Sequence, residues 1–200
     1  MSSVLDCRQV AIDAELDETS QHSLAQVARA AANVGAAELM KHYGRISSIE
    51  SKGRIGDLVT NADLAAEKVV LKYLRQHTPS ISILAEESGS SGNPGSLCWC
   101  VDPLDGTTNF AHGYPFFATS VGLIWKGKPL LGSVAVPFLN ETYWCAPNLG
   151  SFVNEAPVQV SDCSSLQDSL LVTGFAYDRH ERIDNNYAEF CWLTHRCRGV

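Results

Sequence analysis

The stretch 102–109, which reads Asp-Pro-Leu-Asp-Gly-Thr-Thr-Asn, constrains the fold of this chain more than any other segment. The residues just before it, 97–101, follow a Gly/Ser-rich turn and are typical of a short buried strand. Residues 106–109 are suited to opening a helix after a tight turn. The stretch therefore predicts a strand that ends on two aspartates and a helix that begins directly after them.

A second acidic pair follows a second predicted strand. Residues 81–85 show the alternation of a strand, and Glu86 and Glu87 come directly after them. Both strands then deliver carboxylates at their ends, and hard divalent cations such as Mg²⁺ prefer oxygen ligands. The oxygen donors offered to such a cation are the side chains of Glu86, Asp102 and Asp105 and the main-chain carbonyl of Leu104.

The helix predicted after Asp105 adds a second capability to this stretch. Free N–H groups at a helix N-terminus bind phosphate. A cation site and a phosphate cradle within 102–109 together favour metal-assisted hydrolysis of a phosphomonoester. The alternative is that these residues only form turns and carry solvated charge, as most short acidic motifs do. The length of the octet, with a strand before it and a helix after it, favours the functional interpretation.

The rest of the chain predicts alternating blocks of helices and strands. Apolar residues recur at helical spacing in 21–43, with Thr19 or Ser20 as the cap, and 60–63 has the form of a capping box that opens a helix toward Pro79. The other predicted elements are strands at 119–125, 130–136, 142–145, 151–153 and 170–173, and a helix at 186–194. This arrangement favours an α+β layered fold.

Composition and charge exclude several classes of protein. The 200 residues carry a formal net charge of −7 without a basic patch, so nucleic-acid binding is not expected. No apolar stretch approaches the ~20 residues that span a bilayer, so we expect a soluble chain with no membrane partner. Seven scattered cysteines without a CxxC pair are typical of a reducing compartment. A cytoplasmic location follows, with an organelle stroma as the alternative if a transit peptide has been trimmed.

Three motifs give the chain a resemblance to a known family. Residues 99–112 match the pattern W-x-x-D-P-[LI]-D-G-T-T-N-F-x-H, residues 57–63 match D-L-V-T-x-x-D with Lys52 five positions earlier, and residues 85–88 read Ala-Glu-Glu-Ser. In this order they resemble the inositol monophosphatase family. The resemblance makes 1–20 an N-terminal extension and 21–200 an inositol-monophosphatase-like domain. It implies an α+β fold, a layered αβαβα sandwich of the sugar-phosphatase type.

The resemblance also implies how metal ions are held. It assigns a first Mg²⁺ to Glu86, Asp102 and the carbonyl of Leu104. Asp102 is shared with a second Mg²⁺, which Asp105 also binds. The family pattern implies two or three Mg²⁺ ions in all, with Li⁺ as an inhibitor.

The catalytic and substrate-binding roles implied by the resemblance fall on the same stretch. Thr107, hydrogen-bonded to Asp63, would orient and help deprotonate a metal-activated water. Asp63 has helix capping as its alternative role. The implied catalytic residues are Asp63, Glu86 and Thr107. The implied substrate-binding residues are Glu86, Leu104, Asp105, Gly106 and Thr107.

The end of the chain departs from the family pattern. Family members continue past an Arg-Gly-Val like 198–200 into a second half with a W-D-x-x-A-G element, so we expect the C-terminal α/β half of the fold to be truncated here. The missing aspartate would complete the second metal site and contact the substrate. The resemblance favours inositol monophosphate as substrate, with histidinol phosphate, a sugar phosphate or fructose bisphosphate as alternatives, and it implies that a homodimer can form.

Two other functions compete with this one. The first is a haloacid-dehalogenase-like phosphatase, which works through an aspartyl phosphate. Its motif has one residue between the aspartates, whereas two residues separate Asp102 and Asp105. The second is a truncated, non-catalytic relative that binds metal or a protein partner. Phosphate release that depends on Mg²⁺ distinguishes this second alternative from the enzyme.

Overall fold

A computed structural model describes residues 6–51, 53, 58–92 and 96–200. The chain divides into two compact units. The first holds the described residues up to Glu50 together with Val59–Val158, and the second holds those between 51 and 58 together with Gln159–Val200. None of the helices within these described ranges is long and apolar enough to cross a membrane.

The helices of the first unit begin where the sequence offers a cap. They are α1 (Cys7–Asp13), α2 (Glu18–His42), α3 (Asn61–His77) and α4 (Thr107–Ala111). Asp17 caps α2 by accepting a hydrogen bond from the amide of Ser20 at 2.8 Å. The expected start at residue 21 with a cap at Thr19 or Ser20 is therefore wrong, because both residues already lie within the helix. Thr60 caps α3 in the predicted capping box.

Helix α1 lies inside residues 1–20, which the sequence patterns separate from the domain as an extension. Val10 and Ala11 of this helix are buried and join the core of the first unit. The helix leaves a weak signal in the sequence because it spans seven residues with only two buried positions. These residues nevertheless contribute to the core.

Among the described residues, an eight-stranded mixed sheet forms the centre of the first unit. Two short strands precede it in the chain, β1 (Ile49–Ser51) and β2 (Leu58–Thr60), and they pair in a sheet of their own. The members of the large sheet are β3 (Ser82–Ala85), β4 (Gly89–Ser91), β5 (Leu97–Asp105), β6 (Ala118–Trp125), β7 (Lys128–Val136), β8 (Glu141–Ala146), β9 (Gly150–Val153) and β10 (Ala156–Pro157).

The order across the large sheet is β10-β9-β8-β7-β6-β5-β3-β4. Every neighbouring pair is antiparallel except β3 and β5, which run parallel. A 3-10 turn at Pro137–Leu139 joins β7 to β8. The strands predicted at 81–85, 97–101, 119–125, 130–136, 142–145 and 151–153 are all confirmed to within a few residues, and β5 continues through the acidic motif.

Helices α2 and α3 pack against the central strands of the large sheet. Trp99 is fully buried in this core, and its Nε1 donates a hydrogen bond to Thr78 Oγ1 at 2.9 Å. At Gly35 of α2, an added Cβ would lie 2.7 Å from Val70 Cγ2 and 2.7 Å from Thr119 Cγ2. Packing between α2, α3 and β6 therefore requires a glycine at this position. A mixed sheet with helices packed against it confirms the α+β prediction.

The second unit is exposed and contains little regular structure. A 3-10 turn spans Leu166–Asp168, and helix α5 (Tyr187–Thr194) confirms the helix predicted at 186–194. The strand predicted at 170–173 is wrong, because Leu170 makes only an isolated bridge to Gly199 and 95% of Val172 is exposed. An apolar run becomes a buried strand only where a partner strand and a covering layer are present.

Candidate active site

The parallel pairing of β3 and β5 places the acidic ends of both segments at one edge of the sheet. Ala85 pairs with Val101, and the amide of Glu86 donates a hydrogen bond to the carbonyl of Val101 at 3.0 Å. The next residue along β5 is Asp102. Glu86, directly after β3, and Asp102, within β5, therefore lie side by side, as the sequence predicts.

Asp102 lies close to two other carboxyl groups, those of Glu86 and Asp105. Its pKa is raised to about 7, first by burial and then by the negative charge of Glu86, a hydrogen bond between these two carboxyl groups and the charge of Asp105. The amide of Leu104 donates to Asp102 Oδ1 at 3.1 Å and acts in the opposite direction. A hydrogen bond between two carboxyl groups needs a proton on one of them, and the raised pKa of Asp102 favours its protonated form.

The donor set fits a hard divalent cation. The carboxyl groups of Glu86 and Asp105 both repel that of Asp102, and a bound cation would replace this repulsion with attraction. Among the described residues, no three His, Cys, Asp or Glu side chains are arranged as a ready metal-binding group. Lys52 and Asp57 of the predicted motifs lie outside the described residues.

Asp63 divides its two carboxylate oxygens between two tasks. Oδ2 accepts hydrogen bonds from the amide of Thr60 at 2.8 Å and from its Oγ1 at 2.6 Å, which completes the capping box of α3. Oδ1 faces Thr107, whose hydroxyl lies 3.3 Å away. Burial raises the pKa of Asp63, while the hydrogen bonds from Thr60 and Thr107 lower it. Capping therefore uses one oxygen and leaves the other for Thr107.

The hydroxyl of Thr107 has two acceptors within reach and one proton to donate. The carbonyl of Leu104 lies 2.9 Å from Oγ1, and Asp63 Oδ1 lies at 3.3 Å. Whenever another group takes the carbonyl of Leu104, Asp63 becomes the remaining acceptor of the two. Thr107 is thus placed between a predicted metal ligand and a buried carboxylate.

Gly106 makes the sharp turn from β5 into α4. Its φ is +86°, in the left-handed region, and an added Cβ would lie 3.2 Å from the carbonyl oxygen of Phe116. The first hydrogen bond of α4 runs from the amide of Phe110 to the carbonyl of Gly106 at 3.0 Å. Glycine is therefore needed at the point where the acidic strand becomes the predicted phosphate-binding helix.

A cleft of about 590 Å³ opens beside the acidic cluster. Glu86 and Asp102 line one part of it, and the side of the sheet at Cys100 and Ser120 lines another. Sequence patterns do not reveal this cleft, because its walls come from four strands, β3 to β6. Its position gives a small ligand access to the carboxylates.

A comparison with known protein families shows to which family this chain belongs. The model of the inositol monophosphatase family matches residues 20–200. The chain belongs to the inositol monophosphatase family. The resemblance carried by the motifs at 57–63, 85–88 and 99–112 is thereby confirmed.

Two curated relatives and one solved structure illustrate this membership. The chain is 49% identical over 178 residues to the inositol-1-monophosphatase of Synechocystis sp., which covers 88% of this chain and 61% of that protein. It is 36% identical over 152 residues to the fructose-1,6-bisphosphatase/inositol-1-monophosphatase of Aquifex aeolicus, covering 75% and 57%. The chain thus spans about three fifths of the length of these relatives.

The solved structure of the inositol monophosphatase from Anabaena (Nostoc) sp. has the same fold as the part of the chain that it matches. Its TM-score is 0.78 at 46% identity, and the match covers 90% of this chain and 66% of that one. The predicted family fold is therefore confirmed for the matched part.

Glu67 is an acidic residue of this site region that the sequence patterns miss. It is buried on α3, and its Oε2 accepts a hydrogen bond from the amide of Glu87 at 2.9 Å. The available signal is its spacing, because a residue four positions after Asp63 lies on the same helix face. An acidic side chain on that face lies among residues at core positions, so it is expected to be buried. A buried carboxylate needs a hydrogen-bond partner.

Proposed function

We propose that this chain is the metal- and phosphate-binding part of a Mg²⁺-dependent phosphatase that hydrolyses a small phosphomonoester. The observation that carries the proposal is the placement of Glu86 beside Asp102 by the pairing of β3 with β5, close to the hydrogen-bonded pair of Thr107 and Asp63. Membership of the inositol monophosphatase family and the name of the Synechocystis relative favour inositol monophosphate as the substrate. The name of the Aquifex relative keeps fructose bisphosphate as an alternative.

Four groups would hold the cation. They are the side chains of Glu86, Asp102 and Asp105 and the carbonyl of Leu104. A bound Mg²⁺ would supply charge neutralisation for the phosphate and acidify the attacking water. We propose two or three ions with Li⁺ as an inhibitor, as the family pattern implies.

Thr107 and Asp63 would handle the proton of the attacking water. The hydroxyl of Thr107 accepts that proton and donates its own to Asp63 Oδ1, which lies 3.3 Å away. Oδ2 of Asp63 is occupied by Thr60, so the carboxylate cannot turn away from Thr107 without breaking the cap. Burial, which raises the pKa of Asp63, also makes it the better proton acceptor.

The turn at Gly106 would bind the phosphate. The ladder of α4 starts with the amide of Phe110, so the amides of Gly106 and Thr107 precede it and suit phosphate oxygens. The cleft beside Glu86 and Asp102 would hold the rest of the substrate. Leu104 and Asp105 complete the proposed substrate contacts.

Phosphate release from inositol monophosphate, with and without Mg²⁺, tests the proposal. We expect Asp105→Asn to reduce release at least about 100-fold, because several kcal/mol of charge stabilisation are lost. Asp162→Asn, an exposed aspartate of the second unit, serves as the matched control and should leave the rate unchanged. In water labelled with ¹⁸O, the product phosphate should carry one solvent oxygen. No covalent phosphoenzyme should be trapped during the reaction.

Three outcomes would contradict the proposal. A phosphoenzyme trapped on Asp102 would favour the haloacid-dehalogenase-like mechanism. Mg²⁺ binding without phosphate release would favour a non-catalytic relative that binds metal or a protein partner. Faster release from fructose bisphosphate, histidinol phosphate or a sugar phosphate would change the assigned substrate. A homodimer and a cytoplasmic location also stay predictions, as does the absence of nucleic-acid binding.

A further inference from the structure

Glu67 is a buried acidic side chain that the proposed reaction does not use. Only 5% of the residue is exposed, and it lies in the middle of α3, one helical turn after Asp63. Its Oε2 accepts a hydrogen bond from the amide of Glu87 at 2.9 Å. A carboxylate bound to a backbone amide makes a strong, charge-assisted hydrogen bond. Glu67 thus fixes one point of the chain directly after Glu86.

The backbone of Glu86 is held on both of its sides. Its own amide donates to the carbonyl of Val101 at 3.0 Å, and the amide of the following residue donates to Glu67. These residues form the tight turn between β3 and β4, where Ala85 pairs with Gly89. An amide in such a turn has no partner in the strand ladder and is satisfied by a side chain or by water. Glu67 supplies it for Glu87.

Helix α3 is a rigid base for this contact. Its first turn is closed by the capping box of Thr60 and Asp63, and its C-terminal half is anchored in the core through Val70, Leu71 and Leu74. The same helix directs Asp63 toward Thr107 and Glu67 toward Glu87. One helix therefore fixes the turn after β3 and the turn after the acidic end of β5.

We propose that Glu67 is a positioning residue that orients Glu86 toward the cation site and thereby sets its affinity for Mg²⁺. The inference rests on the proposed function, because it concerns the same cation site. It extends the site by one residue that contacts neither substrate nor metal. Loss of a partner that orients a metal ligand typically costs about 10–100-fold in metal affinity.

The test compares Glu67→Ala with Glu67→Gln in the full 200-residue chain. Glutamine keeps an oxygen that accepts the Glu87 amide, whereas alanine removes the acceptor. We expect alanine to weaken Mg²⁺ binding, measured by titration calorimetry, at least about 10-fold, and glutamine to stay within about threefold of the parent. Leu71→Ala, which also truncates a buried side chain of α3, is the matched control and should lower stability without changing Mg²⁺ affinity.

Hydrogen exchange of the Glu87 amide gives a second readout that needs no metal. In the metal-free chain we expect fast exchange in Glu67→Ala and slow exchange in Glu67→Gln and in the parent. Unchanged exchange in the alanine variant, or glutamine as damaging as alanine to Mg²⁺ binding, would overturn the inference. If the parent chain bound no Mg²⁺ at all, the proposed function would fail, while the exchange pattern would still decide whether Glu67 fixes this turn.

Discussion

The substitution Asp102→Asn tests whether the acidic cluster is strained when no cation is bound. The pKa of Asp102 rises from 3.8 to about 7 in the folded chain. At about 1.4 kcal/mol for each pKa unit, ionising this group in the native state costs at most ~4 kcal/mol, and partial exposure to solvent reduces that to ~2 kcal/mol. Asparagine removes the charge and keeps the oxygen that accepts the Leu104 amide.

The sign of the effect follows from proton linkage. Between about pH 4 and pH 7 the unfolded chain loses the Asp102 proton while the folded chain retains it, so the native state of the parent loses stability as the pH rises. The asparagine variant lacks this loss. We expect it to be ~2 kcal/mol more stable than the parent at pH 8 in the presence of a chelator, and about equal to the parent at pH 4.

Urea denaturation at pH 4 and pH 8, with chelator and then with Mg²⁺, measures this difference. At pH 8, Mg²⁺ should stabilise the parent and leave the variant nearly unchanged, because the variant lacks a charged ligand. Asp162→Asn is the control for a general effect of net charge. A variant that is no more stable than the parent at pH 8 in chelator would refute the reasoning that burial and the nearby carboxyl groups disfavour the charged form of Asp102.

Three further substitutions test other parts of the fold and site. Asp63→Asn should lower phosphate release by about 10²–10⁴-fold. The free energy of unfolding should change by less than about 1 kcal/mol, because the amide oxygen can still accept the hydrogen bonds of Thr60. If the loss of activity were no larger than the loss of stability explains, capping would be the sole role of Asp63. Gly35→Ala should destabilise the chain by about 1–3 kcal/mol in urea, through overpacking against Val70 and Thr119, and a neutral result would contradict the close helix–sheet contact. Gly106→Ala should cost about 1–2 kcal/mol for its positive φ and slow phosphate release, and unchanged kinetics would argue against a phosphate-binding turn.

Local chemistry explains which features the sequence predicts correctly. The capping box at Thr60 depends on residues three positions apart, so it is visible in the sequence. Glu86 and Asp102 each follow an apolar run, and from this pattern the sequence correctly predicts that they lie close together. A single parallel pairing of the two strands is enough to place them side by side. The sequence presents the two contacts of Asp63 only as alternatives, because Thr107 is 44 residues away and that contact is implied by the family resemblance alone, whereas the structure has both at once.

Features that depend on tertiary partners are predicted less well. Helix α1 is missed because its two core residues gain their burial from distant strands. The predicted strand at 170–173 fails for the opposite reason, since Leu170 finds only a single bridge and no covering layer. Glu67 is missed because its partner, the amide of Glu87, carries no side-chain signal.

The parallel pairing of β3 and β5 determines where this chain can tolerate changes in length. Residues inserted between Ser91 and Leu97 lie outside the bounds of β3 and β5, so they leave the spacing from each strand to its acid unchanged. One residue inserted within 82–86 or 97–102 would instead move one strand by about 3.3 Å against the other and turn its side chains to the opposite face. Insertions are therefore expected to be tolerated between Ser91 and Leu97, whereas the spacing from each strand to its acid has to stay constant.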